Sequence, residues 1–133
     1  MEKKFVNPGA LMTPRGYTHV VSVEAPGKIL FISGQVAIDK EGNIVGKGDL
    51  KAQVKQAAEN LKAALAGAGA SPSDIVKTNT YIVNYKQSDY AAMREVRSTL
   101  FDSENLPAST LIGVTSLAVD GLLVEMEAIA IVR

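Results

Sequence analysis

An alanine-rich stripe between residues 50 and 65 constrains the fold more than any other part of the chain. Leu50, Val54, Ala57, Ala58, Leu61, Ala64 and Leu65 recur at helical spacing, while Lys51, Lys55, Gln56, Glu59 and Lys62 occupy the other faces. Asp49 is placed to cap the N-terminus of this helix, and Gly67 or Gly69 to stop it. Small side chains let such a helix lie close against a sheet, so the stripe calls for strands on both sides of it in sequence.

Strand-length runs are present. Tyr17 to Glu24 is rich in β-branched residues, Ala25-Pro26-Gly27 reads as a turn, and Lys28 to Ser33 is nearly continuous in apolar residues. Two strands around a Pro-Gly turn predict a β-hairpin. Gly34 to Asp39 extends the second strand or bends away, and Glu41-Gly42-Asn43 turns the chain again. Residues 1 to 16, with Pro8, Gly9, Pro14 and Gly16, read as a mostly irregular lead-in.

Beyond the helix, Ser71 to Asp74 is a turn and Ile75 to Val83 alternates. Val76, Thr78, Thr80 and Ile82 face one way, and Lys77, Asn79, Tyr81 and Val83 the other. A second helix is signalled from Ser88 or Asp89, with Tyr90, Met93, Val96, Leu100 and Phe101 on one side, and it ends before Asn105-Leu106-Pro107. Ser109 to Leu117 and Leu122 to Val132 read as the last two strands, with Val119-Asp120-Gly121 between them as a turn. The order is ββ-α-β-α-ββ, an α+β chain with two helices on one face of a mixed sheet. At 133 residues, we expect residues 1–133 to form a single domain.

Composition narrows the chemistry. Fourteen basic and fourteen acidic residues leave no net charge, so no bulk attraction pulls the chain toward nucleic acid or an anionic membrane. With no cysteine and one histidine, His19, the chain has no disulfide, thiolate metal site or cysteine nucleophile, and no site needing two histidines from one chain. We expect no metal and no cofactor. Any chemistry falls to carboxylates, arginines, hydroxyls and backbone groups. Residues 1 to 7 run charged and then mixed, and the longest strongly apolar run, Ile129 to Val132, is far too short for a bilayer. A cytoplasmic location is expected.

Five features could bear function. On the final strand Glu125 and Glu127 share a face with Leu123, Ile129 and Ile131, while Leu122, Val124, Met126, Ala128 and Ala130 make the other face wholly apolar. Two carboxylates in an apolar row suit a cleft or subunit interface, or a solvated sheet face where charge blocks aggregation. Arg94 and Arg97 are three apart on the second helix, a spacing that lets both reach one anion or both stay solvated. Ser109 and Thr110 open a strand, where hydroxyls bind a ligand or satisfy local backbone. Gly34 ends an apolar strand, consistent with a bend or a close approach to a ligand. His19, beside Tyr17, serves equally as a structural hydrogen-bonding group or a base.

Taken in order, Gly16-Tyr-Thr-His-Val-Val21, Leu30-Phe-Ile-Ser-Gly-Gln-Val36, Gln53 to Gly69 with Glu-Asn-Leu-Lys-Ala, Asp74-Ile-Val-Lys-Thr78, Leu106-Pro-Ala-Ser-Thr110 and Val124-Glu-Met-Glu-Ala-Ile-Ala130 resemble the RidA/YjgF family over roughly residues 15 to 132. The resemblance implies a chorismate-mutase-like α+β fold, a homotrimer with clefts between neighbouring subunits, and hydrolysis of enamines and imines to 2-keto acids and ammonia. In active members an arginine grips the substrate carboxylate bidentately and a glutamate on the last strand positions the attacking water. Glu125 matches that glutamate, Tyr17 the cleft tyrosine and Gly34 the strand-end glycine. The arginine position is Ser109, followed by Thr110; the cysteine of many members is Leu111, and a cleft asparagine is Arg94.

Losing a charged partner for a carboxylate costs about 1.5–3 kcal/mol, roughly 10- to 150-fold in binding. Two readings follow. In one, Arg94 supplies the guanidinium from another wall and the protein is a deaminase-type hydrolase of a small carboxylate or imine-derived metabolite. In the other, the trimer binds a small acid without turnover. The ribonuclease activity attached to the family is set last, because a neutral chain with one histidine is poorly equipped to cleave RNA.

Overall fold

The computed structural model describes residues 1–24 and 27–133. Among the described residues six strands and two α-helices follow in the order β1 (Glu2–Val6), β2 (Val20–Glu24), β3 (Lys28–Val36), α1 (Leu50–Gly67), β4 (Ile75–Val83), α2 (Tyr90–Arg97), β5 (Ala108–Val114) and β6 (Val124–Val132). A four-stranded mixed sheet has the order β3-β6-β4-β5, and β1 and β2 form a separate antiparallel ribbon. β6 is antiparallel to both β3 and β4, whereas β4 and β5 are parallel. The expected α+β class, with two helices on one face of a mixed sheet, is what the chain adopts.

α1 forms where the stripe placed it. The Asp49 carboxylate accepts from the Ala52 N–H at 3.1 Å, satisfying one of the first-turn donors. Gly69 rather than Gly67 closes the helix: it takes a φ of +78°, and the Ala70 N–H reaches back to the Leu65 carbonyl at 2.8 Å. Val54, Ala57, Ala58, Leu61 and Leu65 are buried against Val124, Met126, Ala128 and Ala130 of β6 and Ile82 of β4. Met93 and Val96 of α2, with Leu100 and Phe101 beyond it, close the same core. α2 is shorter than its apolar pattern suggested, because the chain leaves helical geometry after Arg97 while Leu100 and Phe101 still turn inward. β5 likewise stops at Val114 instead of Leu117, where its pairing with β4 runs out at Val83.

The N-terminal region differs from expectation in two ways. Residues 2–6 are a strand, not irregular, because Glu2 to Val6 pair with Glu24 to Val20; that pairing is tertiary, and the Pro and Gly residues that suggested a coil lie only at 8–16. Among the described residues, no ladder joins β2 to β3, so the expected hairpin does not form. Ala25 and Pro26 of its proposed turn lie outside the described residues.

One buried polar side chain ties the helical layer to the chain's return into β6. Gln53, fully buried on α1, donates to the Gly46 carbonyl (3.2 Å) and the Gly121 carbonyl (2.9 Å) and accepts from the Leu123 N–H (2.8 Å). An apolar replacement leaves all three backbone groups without this partner. We expect Gln53→Leu to lower the unfolding free energy by about 2–4 kcal/mol, read from urea midpoints with an unchanged far-ultraviolet dichroism spectrum.

Candidate functional site

Residues opposite one another across a ladder point to the same side of the sheet, so register decides which candidates can meet. Ser109 is opposite Thr78, which is opposite Ala128, and this row faces the helices. Glu125 is opposite Tyr81, on the face that no helix covers. Within one chain the candidates therefore divide: Tyr17, Arg94 and Ser109 line a recess on the helical side, whereas Gly34, Glu125 and Thr110 belong to the open face.

The recess has a volume of about 780 Å³ and lies between α2, the start of β5 and the segment leading into β2. Its polar lining is Arg15, Arg94, Arg97, Tyr17, Tyr90 and serine hydroxyls, with no acidic residue, and Met93, Phe101, Leu106 and Leu111 supply apolar walls. Arg94 is exposed at its rim. Arg97 is held deeper: Nη1 donates to Ser109 Oγ at 3.0 Å, and the guanidinium sits 5.5 Å from the Phe101 ring centroid. Thr78 Oγ1 also donates to Ser109 Oγ at 3.0 Å. With both lone pairs engaged, the Ser109 hydroxyl keeps its own proton for a ligand. Arg97 Nη2 is buried without a protein partner, and burial pushes the guanidinium below its ordinary value, an effect that Tyr90 opposes. Even so, an arginine stays charged at any working pH. A half-buried guanidinium with an unpartnered Nη2 and no acidic residue in the recess has the chemistry that suits an anion.

Arg97 is the residue that sequence reasoning undervalued. The sequence pairs it with Arg94 at a spacing that suits one anion, yet the compensating role falls by resemblance on Arg94 alone. The signal was its position between Met93 and Phe101 at four-residue spacing, a charge on the core-facing row of α2. His19 proves structural: its Nε2 lies 2.8 Å from the Met12 carbonyl oxygen, and its ring meets that of Tyr17 edge-on at 5.2 Å.

On the open face the Glu125 carboxylate lies over Gly34, where a methyl group would overlap it and force the Glu125 side chain to move. Glu127 accepts from the Tyr81 hydroxyl and from Asn79 Nδ2 at 3.4 Å, and Lys77 Nζ donates to Thr110 Oγ1 at 2.9 Å. Glu127 is thus engaged by neighbours, while no side-chain donor within the described residues holds Glu125. Around them Phe31 is 79% exposed, with Ile29 and Ile112 also exposed, so the open face sets apolar side chains beside its carboxylates.

The Tyr81–Glu127 bond has a measurable consequence. The hydrogen bond to Glu127, then desolvation, then the charges of Glu127 and Glu125 raise the Tyr81 phenol above the ordinary tyrosine value. A raised folded-state value stabilises the fold below the unfolded value, and that contribution disappears as pH rises through the folded one. Of the four tyrosines, one is expected to ionise late in an ultraviolet tyrosinate titration. Tyr81→Phe should remove that late step, and Glu127→Gln should return it toward the others.

Comparison with known proteins places the chain. The family profile described as endoribonuclease L-PSP matches residues 9–132. A RutC family protein of Pyrococcus abyssi is 42% identical over 114 residues, covering 86% of this chain and 84% of its own. A 2-iminobutanoate/2-iminopropanoate deaminase of Dermatophagoides farinae is 32% identical over 117 residues, covering 88% and 86%. Among solved structures, the Rid family protein YyfB of Yersinia pestis superposes with a TM-score of 0.91 at 38% identity, over 99% of this chain and 100% of its own. RidA of the Antarctic bacterium Psychrobacter sp. gives 0.70 at 32% identity, over 91% and 92%. With the profile spanning nearly all its residues and relatives this similar, the chain belongs to the endoribonuclease L-PSP (RidA/YjgF/RutC) family.

Proposed function

We propose that this chain is a single-domain, RidA-type hydrolase of small enamines or imines that carry a carboxylate, acting in clefts between the copies of a homotrimer. The observation that carries the reading is the division of the candidate residues between opposite faces of one sheet. Glu125 and Gly34 cannot reach the arginine recess of their own chain, but a neighbour's recess can be set against them. The exposed Phe31, Ile29 and Ile112 around Glu125 give that contact an apolar surface to bury.

In such a cleft the substrate carboxylate is held by Arg97, aided by Arg94 and the Ser109 hydroxyl. Arg97 thereby replaces the arginine that the family carries at position 109, reaching the same place from α2. The apolar walls formed by Leu106, Leu111 and Phe101 receive the substrate side chain. Glu125 of the facing copy orients a water and takes its proton as oxygen adds to the imine carbon. The carbinolamine formed collapses to the keto acid as the nitrogen, protonated, leaves as ammonia. Glu127, occupied by Tyr81 and Asn79, keeps the local charge and geometry fixed while Glu125 reacts.

The test is ammonia release from freshly generated 2-iminopropanoate. Glu125→Gln should lower kcat by about 10²- to 10⁴-fold, and Arg97→Met should raise KM by about 10- to 150-fold. Arg94→Ala, at the rim, should have the smaller effect on KM. A wild-type rate no greater than buffer sinks the hydrolase reading, and leaves binding without turnover if a small carboxylate still raises Tm. An Arg97→Met enzyme with unchanged KM sinks the arginine assignment alone.

A further inference from the structure

We propose that the β1–β2 ribbon of one copy pairs with the free edge of β3 in a second copy, so that the sheet of each protomer is completed by its neighbour. Three observations lead there. β3 is an edge strand whose outer side has no partner among the described residues. It carries Ile29, Leu30, Phe31 and Ile32 in succession, with no proline and only Lys28 as charge, which is the kind of edge that recruits another strand.

The ribbon is itself incomplete. Five residues per strand, paired among the described residues only to each other, are marginal by themselves in water, and Val6 and Val20 are left exposed.

The third observation excludes the chain's own ribbon as the partner. A hairpin pairing Glu24 with Lys28 would put Val20 beside Ile32 and Thr18 beside Gly34. Instead the Thr18 N–H is bonded to the Pro107 carbonyl at 3.1 Å, at the start of β5, and Thr18 is buried there. β5 is the opposite edge of the sheet from β3, three strand spacings or about 14 Å away. The Tyr90 hydroxyl bonded to the Arg15 carbonyl, at 3.4 Å, holds the lead-in on the same side. The ribbon is therefore directed away from the edge it would complete.

A second copy supplies what the first cannot. In the antiparallel register set by Glu24 opposite Lys28, the charges are complementary and Val21 meets Phe31, a β-branched residue against an aromatic one. The lengths also match, five residues of β2 against the exposed half of β3. On the reading above, the same register brings the neighbour's Thr18 to Gly34, and with it Tyr17 at the mouth of the neighbour's recess, facing Glu125. The ribbon then serves as the strap that aligns the two halves of the cleft.

The absence of cysteine makes a clean test possible. Val23 and Ile29 are opposite in this register. The double variant Val23→Cys/Ile29→Cys, purified reduced and then oxidised, should run as covalent dimers and higher species on a non-reducing gel and as one monomer band after reduction. Co-expressed single variants with different tags should give a covalent heterodimer of one Val23→Cys chain and one Ile29→Cys chain. A disulfide closed within single chains overturns the exchange, as do thiols that stay free. Light scattering on the wild type separates this from the functional reading. Cross-linked chains in a dimeric protein keep the exchange and remove the trimer, whereas a trimer with disulfides inside each chain keeps the trimer and removes the exchange.

Discussion

The antiparallel pairing of β6 with β3 on one side and β4 on the other carries the rest of the structure. Because β6 lies between strands that run parallel to each other, α1 must cross over it to join β3 to β4, and its small residues are what allow that crossing to pack. Alternate residues of β6 then have opposite duties. Val124, Met126, Ala128 and Ala130 are buried under α1, while Glu125 and Glu127 are presented on the uncovered side. A one-residue slip in this register would bury two carboxylates and expose the core, so core and site are specified by the same ladder.

On the proposed reading, that arrangement also accounts for an anion-binding recess without an arginine at position 109. Position 109 faces the helices, not Glu125, so its side chain belongs to a pocket whose other wall is α2. A guanidinium from α2 can reach that pocket without altering the sheet, and Arg97 is there, bonded to the Ser109 hydroxyl. The recess is lined by three arginines and no acid.

The elements whose residues satisfy local rules were legible in advance. α1 has its stripe, cap and terminal glycine; β4 and β6 have strict alternation; and Glu125 and Glu127 announced themselves as charges in an apolar row. What escaped was set by partners distant in sequence. Glu2 to Val6 read as a tail because nothing in Glu-Lys-Lys-Phe-Val requires a strand until β2 lies beside it. The hairpin failed for the converse reason: the sequences of β2 and β3 suit each other, but Thr18 is held at Pro107, and no local rule contains that bond. Arg97 reads in the sequence as half of a pair, yet its depth depends on Phe101 and Ser109, four and twelve residues further along.

The sequence alone determined the α+β class, the positions of both helices, the two-faced final strand and a chemistry limited to carboxylates, arginines and hydroxyls, because periodicity and composition are local properties. Only the tertiary structure decided which arginine is buried and that the candidate residues fall on opposite faces of one sheet. It also decided that β3 keeps a free edge among the described residues. Those outcomes depend on strand order and register, which arise from contacts between residues far apart in the chain.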